Sequence, residues 1–209
     1  MNKDVSLEQY RLFTTLIHPG IGRHLHKHSS PNSLTLEIGC GPGQYRLAVR
    51  GNYVGFDLTT DDYQPGIPRI IDLVADARGL PFKFETFDLV FFSNIFHYFE
   101  DALDVLRGAV SVLKPSGTLL IFDYSQNSLE RLALEYNRSS QGFMAFPKTA
   151  KMWLDLFRNA GLTELTVEPN ASGWRRIRLA WLRMTVDVNA VHRWIDDHTG
   201  ALVVSGRRK

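Results

Sequence analysis

Cysteine is nearly absent from the sequence, and long apolar runs are missing altogether. Cys40 is the one cysteine among 209 residues, so an internal disulfide, and with it a disulfide-stapled scaffold, is excluded. No apolar run approaches the roughly 18–20 residues that span a bilayer, and no apolar core typical of a secretory signal follows the first residues. These absences predict a chain without a transmembrane segment in a reducing, cytoplasmic compartment.

An excess of charge of one sign is also lacking. The 24 basic and 22 acidic residues leave a net charge of +2, which is too small by itself to indicate a nucleic-acid partner. The hydrophobic fraction of 44% and the charged fraction of 22% are typical of a folded globular protein and exclude a disordered chain. At roughly 150 residues per domain, the length predicts a single domain over residues 1–209.

What is present is an alternation of strands and helices. An amphipathic helix is predicted over 6–17, ending at Pro19-Gly20, and a second short segment follows over 21–28. Strands are predicted at 34–38, 53–57, 70–75, 87–92, 118–124, 165–167 and 201–204, and further helices at 44–50, 102–113 and 152–160. Apolar strands between amphipathic helices indicate a parallel sheet covered on both faces, which binds ligands beyond the carboxyl ends of its strands.

The sharpest local signal is a glycine loop after the first strand. Gly39, Gly41 and Gly43 stand at alternate positions, where they allow backbone conformations closed to other residues and let a ligand touch the main chain. A tight turn alone needs one or two glycines. The dinucleotide fingerprint would need a further glycine where Gln44 or Arg46 stands, and a phosphate loop ending in Gly-Lys-Ser/Thr is absent. The loop therefore predicts a nucleotide ligand without a pyrophosphate or triphosphate.

Asp57 ends the second predicted strand. A carboxylate at this point can accept hydrogen bonds from two ribose hydroxyls, as the acid after the second strand of Rossmann folds does. The alternative is a helix cap or a solvated turn acid. Because Asp57 is in register with the glycine loop, the ribose role is favoured.

Five stretches of the sequence occur in an order and spacing known from one enzyme family: 37–43, 55–58, 75–82, 87–101 and 112–121. With them the sequence resembles the class I S-adenosylmethionine-dependent methyltransferases across residues 34 to 124, in particular the small-molecule branch called type 11. The resemblance implies an α/β fold, with a Rossmann-like, seven-stranded, mostly parallel sheet whose last strand is antiparallel and with helices on both faces. Residues 61–68 depart from the family pattern, because prolines and a glycine interrupt the usual helix, and a loop is predicted there.

The resemblance also implies S-adenosyl-L-methionine as cofactor and S-adenosyl-L-homocysteine as product. The backbone of Gly39, Cys40 and Gly41, in a loop completed by Gly43, would pack against the methionyl and ribose part. Glu37 would stiffen this loop or reach the methionyl amino group.

Further positions would hold the nucleoside. Asp57 would bind the ribose, and Leu58 would lie on one face of the adenine. Asp76 would accept from the adenine amine while the Ala77 amide donates to a ring nitrogen. Ser93, just past the fourth strand, would lie near the sulfonium.

Methyl transfer is an in-line displacement, so the main task of the enzyme is alignment, and a base is needed only for a protonated acceptor. His97 follows the fourth strand and is the candidate base, with packing or loop support as the alternative. Asp123 and Tyr124 end the fifth strand and could contact the acceptor, although a solvated strand-end acid is the favoured interpretation of Asp123. A cysteine nucleophile is excluded, because Cys40 lies in the cofactor loop.

His24, His26 and His28 alternate along the chain, which predicts a basic surface turn or a lid rather than a metal site. No metal is expected for the reaction.

The chain is predicted to divide into an N-terminal helical lid over 1–33, a cofactor-binding core over 34–124 and a substrate-side half over 125–209. Residues 170–209 contain eight basic and three acidic residues with Trp174, Trp181 and Trp194 among them. An anionic or aromatic substrate, an acidic partner or a membrane surface could use this patch. The favoured alternative is an ordinary packed helix around Leu179 and Leu182 with an arginine-rich outer face.

Together these features predict a methyltransferase acting on an oxygen or nitrogen atom of a small molecule. The alternatives are an RNA or protein methyltransferase and a non-catalytic domain that binds the cofactor. Nucleic acid is not an expected partner, and a homodimer is left open.

Overall fold

The computed structural model describes residues 19–58, 71–124, 146, 148–169, 178–179, 184–185 and 201–209. Three helices lie in these ranges: α1 (Pro19–His28), α2 (Ala102–Val112) and α3 (Ala150–Asn159). The strands are β1 (Leu34–Ile38), β2 (Asn52–Asp57), β3 (Leu73–Val74), β4 (Phe87–Ser93), β5 (Leu113–Tyr124), β6 (Leu162–Pro169), β7 (Arg178–Leu179), β8 (Met184–Thr185) and β9 (Ala201–Arg208). Arg46–Ala48 and Phe96–Tyr98 form single 3-10 turns. None of the helices in these ranges has the length and apolar character required to cross a membrane.

Seven strands form one sheet in the order β3-β2-β1-β4-β5-β9-β6. The first five in the chain are mutually parallel, whereas β9 runs antiparallel to both β5 and β6. The predicted fold, including its antiparallel last strand, is confirmed. Strand order reverses between β1 and β4, and a parallel sheet opens a crevice at the carboxyl ends of its strands at such a point.

The central strands β1 and β4 are buried at nearly every position because both faces of the sheet are covered. On one face, Leu36, Val90 and Ile121 contact the helices α2 and α3. On the other face, Ile21 and Leu25 of α1 pack against a cluster made of Tyr45, Leu89, Phe91, Leu120, Phe122 and Val203. Alternating side chains of one strand thus enter two separate cores. The part of the predicted N-terminal lid that the structure describes, α1, is a layer of this core.

Some predictions are wrong in their extent. α1 begins at Pro19, two residues before the predicted segment over 21–28, because proline lacks an amide that the first helical turn leaves unbonded in any case. The two helical turns predicted over 44–50 reduce to the single turn Arg46–Ala48, since Tyr45 is buried against the sheet and Arg46 pairs with Asp72. The third strand is limited to Leu73–Val74.

The helix predicted around Leu179 is wrong at the residues that the structure describes there. Arg178–Leu179 pairs antiparallel with Met184–Thr185. Short apolar segments fit helical and strand spacing equally well, so periodicity does not distinguish them. The helix predicted over 6–17, the loop over 61–68 and the three tryptophans between 170 and 200 lie outside the described residues.

Candidate active site

The residues marked by the sequence follow the carboxyl ends of parallel strands. The glycine loop follows β1, Asp57 ends β2, Asp76 comes two residues after β3, and Ser93 ends β4. Because these strands are parallel, their carboxyl ends meet at one edge of the sheet. The structure therefore brings the predicted cofactor residues to the edge where strand order reverses.

The glycine loop uses the conformational freedom of its glycines. Gly39, Gly41 and Gly43 have φ values of 72°, 53° and 75°, in the left-handed region that favours glycine. A Cβ at Gly39 would lie 2.2 Å from Cδ1 of Ile95, because the loop after β1 packs directly on the loop after β4. A Cβ at Gly41 would meet no described atom within 4 Å. The main chain at Gly41 is thus open to a ligand.

Asp57 ties the end of β2 to the glycine loop. Its Oδ2 accepts from the Gly41 amide at 2.8 Å, and its Oδ1 accepts from the Leu58 amide at 2.8 Å. The amide of Cys40 in turn donates to the Phe56 carbonyl at 2.9 Å. A carboxylate can accept about four hydrogen bonds, so this arrangement is compatible with a further role toward ribose hydroxyls.

Glu37 lies beneath the loop on β1 and is 1% exposed. The Tyr53 hydroxyl donates to its Oε2. The guanidinium of Arg46 stacks 4.4 Å from the Tyr53 ring centroid, and its Nη2 is 2.7 Å from Oδ2 of Asp72. Asp72 also accepts from the Gly55 amide at 2.7 Å. This network connects β1, β2 and the turn after the loop, and it supports the stiffening role predicted for Glu37.

Burial raises the pKa of Glu37 well above its usual range, and the Asp57 carboxylate adds to the effect, against the opposing influence of Tyr53 and Arg46. At pH values between the ordinary Glu pKa and this raised pKa, the Glu37 carboxyl is protonated in the folded chain and ionised in the unfolded chain. The free energy of unfolding contributed by Glu37 therefore falls as the pH rises through that window.

We expect the Glu37→Gln variant to gain stability relative to the wild type as the pH rises from about 5 to about 8. The glutamine accepts from Tyr53 without titrating, and each tenfold difference in proton affinity is worth about 1.4 kcal/mol. Urea unfolding of both proteins at the two pH values measures the difference. Glu100→Gln, at an exposed position, is the matched control. An equal stability difference at both pH values would show that the Glu37 carboxyl has an ordinary pKa.

The expected adenine side carries one apolar and one acidic group. Leu58 is 63% exposed directly after β2, so its side chain is available to a flat ligand. Asp76 accepts from the Arg78 amide at 2.9 Å and from its Nη2 at 2.6 Å. Hydrogen bonds from the Arg78 side chain and, to a smaller extent, from the Arg78 amide hold the pKa of Asp76 below its usual value. An adenine amine would share this carboxylate with Arg78, and Ala77 lies in the turn between them.

Ser93 is buried at the end of β4. Its Oγ has no hydrogen-bond partner among the described residues. A buried polar group without a partner costs about 1–3 kcal/mol, so such a group at the edge of a ligand crevice fits a position that a ligand completes. The open main chain at Gly41 and the hydroxyl of Ser93 thus fit the predicted cofactor.

His97 and Asp123 form a buried pair at the ends of β4 and β5. Nδ1 of His97 lies 2.6 Å from Oδ1 of Asp123, and the two residues are 3% and 1% exposed. With Asp123 as a carboxylate, which only accepts hydrogen bonds, the proton of this bond is on Nδ1 and Nε2 is the acceptor of the neutral ring. The interpretation of Asp123 as a solvated strand-end acid is wrong, because Asp123 is buried and the turn after β4 brings the His97 ring onto its carboxylate.

Of the three histidines of α1, His24 packs edge-on against Phe122 of β5, with the ring centroids 6.1 Å apart. Burial lowers the pKa of His24 and of His28, and Nε2 of His24 is 4.0 Å from Oε2 of Glu168. Within the part of the chain that the structure describes, no three His, Cys, Asp or Glu side chains converge in a way that could hold a metal ion.

Sequence reasoning missed the partners of the predicted residues. Asp123 had a signal, since an acid at the end of a wholly apolar strand either reaches solvent or needs a partner. No comparable sequence signal marks Tyr53, Asp72 or Lys148, because the residues that they contact are distant in the sequence.

Known methyltransferases are similar to this chain over the part that contains the predicted site. The methyltransferase domain family matches residues 36–121. The demethylmenaquinone methyltransferase of Corynebacterium urealyticum is 26% identical over 176 residues, covering 76% of this chain and 73% of that protein. A Homo sapiens protein named "Probable tRNA methyltransferase 9B" is 27% identical over 114 residues, covering 52% of this chain and 25% of that protein.

A solved S-adenosylmethionine-dependent methyltransferase from Thermotoga maritima has the same fold. It superposes with a TM-score of 0.63 at 20% identity, covering 97% of this chain and 95% of that chain. The matched range includes the glycine loop and the ends of β2, β3 and β4, where the predicted cofactor positions lie. Residues 36–121 therefore match the methyltransferase domain family, and the chain has the fold of the S-adenosylmethionine-dependent methyltransferases.

Proposed function

We propose that this enzyme transfers the methyl group of S-adenosylmethionine to an oxygen or nitrogen atom of a small molecule, with His97 as general base. The observation that carries the proposal is the buried His97–Asp123 pair beside the cofactor edge. A base is needed only where the acceptor arrives protonated, as a phenol, an alcohol or an ammonium. A base oriented by a carboxylate therefore supports an O–H or N–H acceptor.

The proposed cofactor site comprises Glu37, Gly39, Cys40, Gly41, Gly43, Asp57, Leu58, Asp76, Ala77 and Ser93. When bound, S-adenosylmethionine supplies an electrophilic methyl group on a sulfonium whose departure needs no acid. The chain's own residues bind and align: the loop backbone lies along the methionyl and ribose part, Asp57 accepts from the ribose, and Leu58 covers the adenine. Alignment of this kind can supply about 7–11 kcal/mol of a barrier in well-oriented systems.

The proposed proton transfer uses both members of the pair. Asp123 holds the Nδ1 proton and orients the ring, so Nε2 accepts the proton that leaves the acceptor atom. The imidazolium formed is stabilised by the adjacent carboxylate.

The relatives support two acceptor classes. The name of the Corynebacterium protein gives a quinone as acceptor, and this chain covers 73% of that protein. The name of the human protein gives tRNA, but this chain covers only 25% of it. We therefore favour a small-molecule acceptor and keep RNA as the second candidate, which the basic residues beyond 170 would serve.

A screen for transfer of a labelled methyl group tests the proposal. Metabolite and RNA fractions are incubated with the wild type and with Asp57→Ala at limiting labelled cofactor, and the products are analysed by mass. We expect a labelled small molecule whose yield falls in the variant. Label in the RNA fraction would favour the second candidate, and binding of S-adenosylhomocysteine without transfer to any fraction would indicate a non-catalytic domain.

A further inference from the structure

A lysine is buried behind the turn that carries His97. Lys148 is 5% exposed, and its Nζ lies 2.8 Å from the carbonyl oxygen of Phe146 and 3.5 Å from that of Phe99. The ammonium is also 5.5 Å from the ring centroids of Phe96 and Trp153. Both distances are within the roughly 6 Å over which a cation is attracted to an aromatic face.

These contacts hold the turn Phe96–Tyr98 at both ends. Phe96 begins the turn, and Phe99 follows it. Between them, the carbonyl oxygen of His97 accepts from the Phe146 amide at 2.6 Å. A single 3-10 turn has little stiffness of its own, so the orientation of His97 depends on the segment that packs behind it.

Packing alone does not account for a cation at this position. Burial lowers the pKa of Lys148, and the charge of Asp123 opposes that effect. Among the described residues no carboxylate lies within ion-pair distance of Nζ, and the groups that contact the ammonium are main-chain carbonyls and aromatic rings. An apolar side chain would fill the space beside the two rings without the cost of removing a charge from water.

We propose that Lys148 is a positioning residue for methyl transfer. It holds the turn of His97 through two main-chain carbonyls, and its charge holds the Phe96 ring at the start of that turn, so that Nδ1 of the imidazole stays on the Asp123 carboxylate in one tautomer. This inference rests on the proposed role of His97 as base.

Lys148→Met removes the charge at similar length, and Lys151→Met, at an exposed position of α3, is the matched control. We expect Lys148→Met to lower kcat by about 10- to 100-fold, with the affinity for S-adenosylhomocysteine unchanged, because misplacement of a reacting group acts on the chemical step. In a His97→Gln background the same substitution should lower kcat no further. A further loss of kcat by the same factor in that background would show that Lys148 has only a structural role and would overturn the proposal.

A second measurement needs no acceptor. Long-range ¹H–¹⁵N spectra at about pH 8, with the His97 signals assigned by their loss in His97→Gln, report the imidazole tautomer. We expect one tautomer protonated at Nδ1 in the wild type and in Lys151→Met, and mixed tautomers in Lys148→Met. Lys148→Gln, which keeps a donor for the Phe146 carbonyl, carries the same expectation should the methionine variant not fold. Unchanged His97 signals would overturn the inference, whereas a failed acceptor screen would count only against the proposed function.

Discussion

Replacing His97 by glutamine is expected to lower kcat by about 10²- to 10⁴-fold, the usual contribution of a positioned general base. Glutamine has a similar size, and its amide can still donate to the Asp123 carboxylate, but it cannot take up a proton near neutral pH. The affinity for S-adenosylhomocysteine should stay within about twofold, since the proposed cofactor contacts come from other residues. Steady-state kinetics with the acceptor from the screen, together with calorimetry, measure the two quantities.

Two variants make this test specific. His26→Gln removes an exposed imidazole from α1 and should leave turnover unchanged. Asp123→Asn offers an amide in place of the carboxylate, and an amide that donates to Nδ1 favours the wrong tautomer, so kcat should fall here too. The double variant should be little slower than either single variant, because the two residues act as a unit. Full turnover by His97→Gln across neutral pH would refute the base assignment.

Replacing Asp57 by alanine is expected to weaken the binding of S-adenosylhomocysteine by about 10- to 100-fold. Hydrogen bonds to a charged group contribute about 1.5–3 kcal/mol, and about 1.4 kcal/mol corresponds to a factor of ten in affinity. The loss has two sources, because Asp57 also accepts from the amides of Gly41 and Leu58 and thereby holds the glycine loop. Isothermal titration calorimetry measures the change.

An analogue of S-adenosylhomocysteine without ribose hydroxyls separates the two sources. The wild type should bind this analogue more weakly than it binds S-adenosylhomocysteine. The Asp57→Ala substitution should weaken the binding of the analogue by a smaller factor than the binding of S-adenosylhomocysteine. Asp104→Ala, which removes an exposed carboxylate from α2, should leave both affinities unchanged. An Asp57→Ala variant with wild-type affinity would disprove the ribose contact.

The strands nearest the site were predicted well because the residues of each strand and of the loop after it indicate its position without reference to distant parts of the chain. β1 and β4 are buried at nearly every position, and β1, β2 and β4 each end at or directly before a glycine, an acid or a polar residue that starts a loop. The helix predicted over 44–50 failed because its residues have partners elsewhere. Tyr45 packs near Phe91, and Arg46 reaches Asp72, which together leave only one 3-10 turn.

The sequence by itself determined which predicted cofactor positions share the carboxyl edge of the sheet. Alternate glycines after one strand, and acids at the ends of the next two, are local patterns whose meaning depends only on strands being parallel. Only the tertiary structure decided what surrounds His97. Asp123 is 26 residues away along the chain, and Lys148 is 49 residues beyond the Phe99 carbonyl it approaches. Such pairs form when neighbouring strands and a returning segment bury polar groups together, and no local periodicity encodes which group each will meet.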